Sequence, residues 1–423
     1  MTEWRRLHPL TPLLRGGRVL VGVLVVVVQQ GLAQSSVLAS LVVLGLAVPV
    51  ALVYGLVSWR VTRYRLEGDE LQVDSGVLQR RQRRVPLRRL QSVDVVRPLL
   101  ARVLGLAELR LEVAGGGGDA EAPLAFLSEA DAQRLRRQML ARSGALEDAQ
   151  EEADQDEQLL VQVPSRALVV SILLSGPTVA AGVLLALLLV ALVVEPAVAA
   201  GALPLAGPLL LGLGSFAVRR LLTEYGFTVA ESPDGLRLRH GLLETRAQTI
   251  PLGRVQTVRV EQPLLWRRRG WVRVEVDVAG YTGRGDEQQL TSALLPVAPR
   301  GFAGQLVERV LGAALPAPTA TAPRAARWLA PVEQPVLRLG VDDRHVVGTS
   351  GRLTRHTDIV PLAKVQSLRR TQGPLQRRLG LASVHVDSAG RRLAGLTAQH
   401  RDAAEADALV DDLALRARAA RTR

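Results

Sequence analysis

Pro86-Leu87-Arg88-Arg89-Leu90-Gln91-Ser92 returns as Pro251-Leu252-Gly253-Arg254-Val255-Gln256-Thr257, and again as Pro361-Leu362-Ala363-Lys364-Val365-Gln366-Ser367. The likeness extends outward without a gap. A glycine stands ten positions before each proline, at Gly76, Gly241 and Gly351, and another fourteen after each glutamine, at Gly105, Gly270 and Gly380. Fixed spacing in three segments defines an internal repeat, which is read before any single motif. An active site has little reason to occur three times in one chain. Gln91, Gln256 and Gln366 are therefore expected to serve the fold, since an amide can satisfy backbone groups at a strand edge or bulge.

Around these landmarks polar and apolar residues alternate, as in Leu109-Arg110-Leu111-Glu112-Val113, Val272-Arg273-Val274-Glu275-Val276-Asp277-Val278 and Val384-His385-Val386. Period two predicts half-buried antiparallel strands, with the glycines at hairpin turns or bulges. A helix-like tail follows in each copy, for example Ser128 to Arg142, where Ser128 and Asp131 form an N-cap signal. Each repeat thus reads as a small β-sandwich or barrel closed by a C-terminal helix.

Three stretches are long and apolar enough to cross a bilayer, which takes about 20 residues: Val37 to Ser58, Ala167 to Val194 and Ala197 to Val218, the last two separated by Glu195-Pro196. A weaker fourth, Val19 to Ser36, carries Gln29, Gln30 and Gln34 and would complete a first hairpin. The rival reading of that stretch is a cleaved signal peptide. Arg15, Arg18, Arg60, Arg63, Arg65, Arg166, Arg219 and Arg220 all flank the spans on one side, and the inter-helix turns carry no basic residue. By the positive-inside rule, both termini and every large segment are cytoplasmic in a multi-pass protein of the cell membrane. The expected order is an N-terminal segment (1–18), a first hairpin (19–58), a first repeat (60–145), an acidic linker (146–165), a second hairpin (166–220), a second repeat (221–312), a Pro/Ala linker (313–330) and a third repeat (331–423).

The core Pro86 to Ser92 and Pro361 to Ser367, with Gln372-Gly373-Pro374-Leu375-Gln376 leading to Leu379-Gly380-Leu381, resembles the bacterial pleckstrin-homology-like domain of membrane proteins of the YdbS and YdbT type. The middle copy departs slightly, with Thr257 for serine and Trp271 after its glycine. The resemblance implies a bent seven-stranded sheet capped by a C-terminal helix, two membrane hairpins interleaved with three such domains, and a role at the membrane. It brings no catalytic residue.

The 53 basic residues exceed the 40 acidic ones, and the net charge of +13 suits an anionic partner. The apolar runs make that partner the bilayer, through anionic headgroups, rather than nucleic acid. Arg80, Arg81, Arg83, Arg84, Arg88 and Arg89 form the densest cluster; Arg267, Arg268 and Arg269 form a second beside Trp266 and Trp271. These arginines are candidate headgroup contacts, the alternative being a solvated strand face; the tryptophans belong either to the interface or to the core. Gly115 to Gly118 lacks the Lys-Ser/Thr of a phosphate loop and reads as a hairpin tip.

Chemistry is bounded by what is missing. Cysteine is absent, and the six histidines have no metal-ligand spacing. No metal, cofactor or catalytic group is expected. The reading is a non-enzymatic scaffold that binds anionic lipid, a membrane protein partner or another copy of itself. The alternative is a component of a transport, efflux or envelope-stress system.

Overall fold

The computed structural model describes residues 4–11, 37–76, 81–113, 124–142, 158–232, 235–278, 293–390, 393 and 395–422. The weak span Val19 to Ser36, the glycine run Gly115 to Gly118 and the acidic stretch Glu147 to Glu157 lie outside the described residues. The chain divides into two compact units, one of residues 1–156 with 243–248, the other of residues 157–242 with 249–423.

The first repeat supplies β1 (Arg5–Arg6), β2 (Arg63–Glu67), β3 (Glu70–Ser75), β4 (Arg81–Pro86), β5 (Leu90–Pro98), β6 (Leu106–Val113) and β7 (Leu124–Ser128). The second supplies β8 (Gln158–Gln162), β9 (Thr228–Ser232), β10 (Gly235–His240), β11 (Glu244–Ile250), β12 (Val255–Pro263), β13 (Trp271–Val278) and β14 (Ala293–Pro299). The third supplies β15 (Ala320–Thr321), β16 (Arg338–Val341), β17 (His345–Ser350), β18 (Thr354–Pro361), β19 (Val365–Thr371), β20 (Leu381–Ser388) and β21 (Leu396–Asp402). The helices are α1 (Val37–Val61), α2 (Leu99–Val103), α3 (Glu129–Arg142), α4 (Ser165–Leu173), α5 (Gly176–Val194), α6 (Pro196–Glu224), α7 (Arg300–Leu311), α8 (Pro374–Arg378) and α9 (Ala403–Thr422). Among the described residues each repeat therefore has seven strands and a closing helix: α3, α7 or α9.

Local backbone demands explain the repeated residues. Each Pro-Leu pair leads from a strand into a single 3-10 turn, at Leu87–Arg89, Leu252–Arg254 and Leu362–Lys364. Proline fixes φ near −65° at that corner, as at Pro251 (φ −67°) and Pro361 (φ −64°). Leu87 and Leu362 then point into the core and are fully buried. The next strand is bulged at the motif glutamine in all three copies, its register shifting between Leu90 and Ser92, Val255 and Thr257, and Val365 and Ser367. Gly105, Gly270 and Gly380 all have left-handed backbone (φ 67°, 63° and 67°), where a side chain is disfavoured. Their carbonyls accept the amides of Glu129, Arg300 and Ala403, which begin the three closing helices. Ser128 caps α3 as expected, its Oγ accepting the Asp131 amide at 3.1 Å.

In each repeat the first strand is cut off from the second by an insertion, and the two strands pair across it. In unit 1, β1 lies against β2 on either side of α1. In unit 2, β8 lies against β9, and the chain between them forms α4, α5 and α6. In the third repeat β15 pairs with β16, and the insertion holds only 3-10 turns. Two expectations change here. Ala167 to Val194 is not one helix: the chain breaks at Leu174-Ser175, because Pro177 opens a new helix at a position where its missing amide costs nothing. Ala313 to Arg327, expected as an exposed linker, instead carries β15 and buries Ala322 and Ala326.

Unit 2 also corrects the picture of self-contained sandwiches. Its largest sheet runs β14-β13-β12-β18-β17-β16-β15, so strands of the second and third repeats form one surface. The hydrophobic core does the same, with Val347 and Ile359 joining Val258, Val274 and Val276. Leu243–Gln248 belong to unit 1, where Glu244–Ala247 lie antiparallel to β5.

Candidate functional site

The apolar helices α5 and α6 expose most of their surface and are long enough to cross a membrane. Pro204 and Pro208 lie inside α6, as proline is tolerated in membrane helices. Glu195 sits at the break between α5 and α6, as the sequence suggested.

α6 runs on past the expected Val218 to Glu224 and ends inside the second repeat. Its last turn carries a buried ionic cluster. Glu224 accepts from Arg220 Nε at 3.0 Å and from Arg273 Nη1 at 2.6 Å, and Arg273 Nε reaches Glu275 at 2.9 Å. Arg220 also donates to the Pro296 carbonyl at 3.3 Å and lies 5.7 Å from the Trp266 ring. Burial opposes the charge on Arg273, but Glu224 and Glu275 outweigh it and raise its pKa above the ordinary value. β13 is consequently buried on both faces, including Arg273, Glu275 and Asp277. The half-buried strand that the alternation predicted is overturned by α6 and by the third repeat, which cover its polar side.

Trp266 belongs to the core, whereas Trp271 is half-buried. Trp266 is 1% exposed and its Nε1 donates to the Ser171 carbonyl at 3.0 Å. This bond fastens the 3-10 turn Leu264–Arg269 to α4, whose chain continues after two residues into the apolar α5. The turn is therefore held at the root of the hairpin. It exposes Leu264, Leu265, Arg268 and Arg269 together. Arg269 stacks over Trp271 at 4.9 Å. Arg267 also donates, through Nη2, to the carbonyls of Arg352 and, at 3.4 Å, Leu353.

The same place in the other repeats has the same character. α8 exposes Leu375, Arg377 and Arg378, and α2 with the residue after it exposes Arg102, Val103 and Leu104. Sequence reasoning gave Leu264, Leu265 and Leu375 no role; the signal was Pro-Leu-Leu ahead of Arg267 at Pro263 and Pro-Leu ahead of Arg377 at Pro374.

The first arginine cluster lies around β4. Arg80 is outside the described residues, and of Arg81 and Arg89 the backbone alone is described. Arg84 and Arg88 are exposed and Arg83 is half-buried; Arg88 pairs with Asp69 at 3.3 Å. The motif glutamines differ. Gln256 is buried and donates to the Arg254 carbonyl at 3.1 Å, whereas Gln366 is exposed, and the Gln91 side chain is not described. Among the described residues no group of three or more His, Asp or Glu is placed to hold a metal ion.

Three segments, residues 19–143, 169–314 and 302–417, match the model of the bacterial PH domain family, and the chain belongs to that family. It is a membrane protein with repeated bacterial PH domains. The chain is 24% identical over 272 residues to the UPF0699 transmembrane protein YdbT of Bacillus subtilis (strain 168), covering 57% of this chain and 54% of that protein. It thus spans about half the length of the curated relative it matches. No solved structure matches the chain.

Proposed function

We propose that the chain is a non-enzymatic scaffold anchored in the cell membrane, whose leucine-arginine turns engage anionic headgroups on the cytoplasmic face. The observation that carries this reading is the fastening of Leu264–Arg269 to α4 at the root of the hairpin, with Leu264, Leu265, Arg268 and Arg269 exposed. Leucine at such a position enters the interface, and an arginine near an anionic leaflet gains about 1 kcal/mol. α8 and the α2 turn repeat the chemistry, and Arg84 of β4 with Arg88 of the following 3-10 turn adds a second basic surface. Four spans, both termini in the cytoplasm and three PH-like units belong to the same proposal, supported by the one-sided arginine flanks.

Native mass spectrometry of the full chain tests it, comparing retention of phosphatidylglycerol with phosphatidylcholine in mild detergent. Wild type should retain the anionic lipid preferentially, and Arg268→Gln/Arg269→Gln should lose part of that preference. Equal retention of both lipids by wild type would remove the headgroup reading.

A further inference from the structure

Inside this chain a strand of the fifth-strand type accepts a strand of the fourth-strand type from the following repeat. β12 takes β18 antiparallel, with Pro263 opposite Thr354, Glu261 opposite His356, Arg259 opposite Asp358 and Val258 opposite Ile359. Arg259 grips Asp358 through two bonds, of 2.5 and 3.1 Å, and His356 approaches Glu261 at 3.4 Å. Within unit 1, β5 takes Glu244–Ala247 with Pro98 opposite Glu244. Pro98 and Pro263 each lie seven positions after the motif glutamine, and Glu244 and Thr354 each lie seven before the motif proline. The two junctions therefore share one register.

β19 is the third acceptor of this type. It ends the sheet β19-β20-β21, and among the described residues no strand pairs with its other edge. Gln366, Ser367, Arg369, Arg370 and Thr371 are exposed along it. An open edge offers a row of backbone donors and acceptors to another chain. We propose that the outer edge of β19 accepts an extended acidic strand from another protein, in the register with which β12 accepts β18.

Charge selects the occupant. Arg369 stands where Arg259 stands in β12, so the complementary strand places a carboxylate opposite it, as Asp358 does. Arg369 now shares Asp387 on the adjacent strand, at 2.7 and 2.9 Å, and keeps an exposed side chain. Arg370 is held by Asp407 of α9 at 2.6 Å. A second copy of this chain is the wrong occupant. Its β4 in the same register would set Arg83 opposite Arg369 and Arg81 opposite Thr371, and like charges directly across a ladder are destabilising. Arginine on both terminal edges thus blocks head-to-tail growth, while an acidic segment from elsewhere is admitted by strand addition. This inference does not depend on the headgroup reading.

The test uses the full chain in mild detergent and a fluorescent, end-blocked peptide with the sequence of residues 353–362 bearing Arg355→Gln, so that Asp358 leaves the strand net acidic. Anisotropy should show binding, weakened about tenfold by Asp358→Arg in the peptide, the size expected when an attractive cross-strand pair becomes repulsive. Arg369→Asp in the protein should invert the preference between the two peptides. Hydrogen exchange should show new protection at β19 when the peptide is bound. No binding at millimolar peptide, binding indifferent to both charge changes, or protection elsewhere would overturn the proposal. Head-to-tail oligomers of the wild-type chain in light scattering would equally overturn the exclusion of a second copy.

Discussion

Glu224→Gln is the change that most directly probes how the apolar helices α5 and α6 are joined to the rest of unit 2. The carboxylate is 2% exposed and is the shared acceptor of Arg220 and Arg273, with Glu275 on the far side of Arg273. The four groups are neutral in sum, so removing one carboxylate leaves a buried net positive charge. Breaking a buried pair in this way costs about 3 to 5 kcal/mol, which for a unit of this size lowers the melting temperature by roughly 6 to 20 °C. Trp266 lies beside Arg220, so its fluorescence reports unfolding of this site. Glu224→Gln/Arg220→Gln restores neutrality and should recover a good part of the loss, whereas independent contributions would add. A single-variant shift below about 2 °C, or a double variant that loses the sum of the singles, would show that the cluster is not a coupled anchor.

Two further outcomes follow from groups outside the membrane helices. Burial lowers the pKa of His345, beyond what Asp342 restores, and burial likewise lowers His400. The unfolded chain then binds these protons more readily, so stability fully present above the ordinary histidine value of 6.5 is lost progressively as pH falls below it towards the lowered folded values. Melting of wild type should drop from pH 7.5 to 5.5 by more than that of His345→Gln/His400→Gln; equal drops would refute the assignment. For orientation, reporter fusions at residues 320 and 423 should both read cytoplasmic, and a periplasmic signal at either would overturn the proposed topology.

What the sequence made legible was what local backbone geometry demands. The glycines of the repeat are conserved between its three copies because each stands at a left-handed φ, and the Pro-Leu pair because it turns a corner and plugs the core. Such requirements act over a few residues and leave fixed spacings. The pairing of strands across repeats acts between edges nearly a hundred residues apart, and its trace was only an arginine three after Gln256 set against an aspartate three before Pro361. The buried face of β13 was misread for the same reason. Arg273, Glu275 and Asp277 look solvated until a helix end bearing Glu224 and a neighbouring loop at Leu393 cover them. The break before α5 did have a local signal, Ser175-Gly176-Pro177, hidden by the apolar residues around it.

The placement of the insertions gives the repeats different ties to the bilayer. In the second repeat β8 and β9 close the root of the hairpin, and the Glu224 cluster locks α6 into β13. The third repeat has 3-10 turns at that place and is held through its neighbour instead. Besides the β12–β18 ladder, Thr257 shares a buried hydrogen bond with Ser388 at 2.9 Å, Asp277 accepts the Leu393 amide at 2.9 Å, and Lys364 reaches the Gly253 carbonyl at 2.8 Å. These bonds lie on the side of β20 and of the Leu362–Lys364 turn that faces the second repeat, so the tether uses one end of the third repeat and leaves the β19 edge open. In the second repeat the strand corresponding to β19 is β12, and it is already paired on both sides, by β13 and by β18, so the third repeat alone offers a partner the fifth-strand edge that the membrane-rooted repeat has filled.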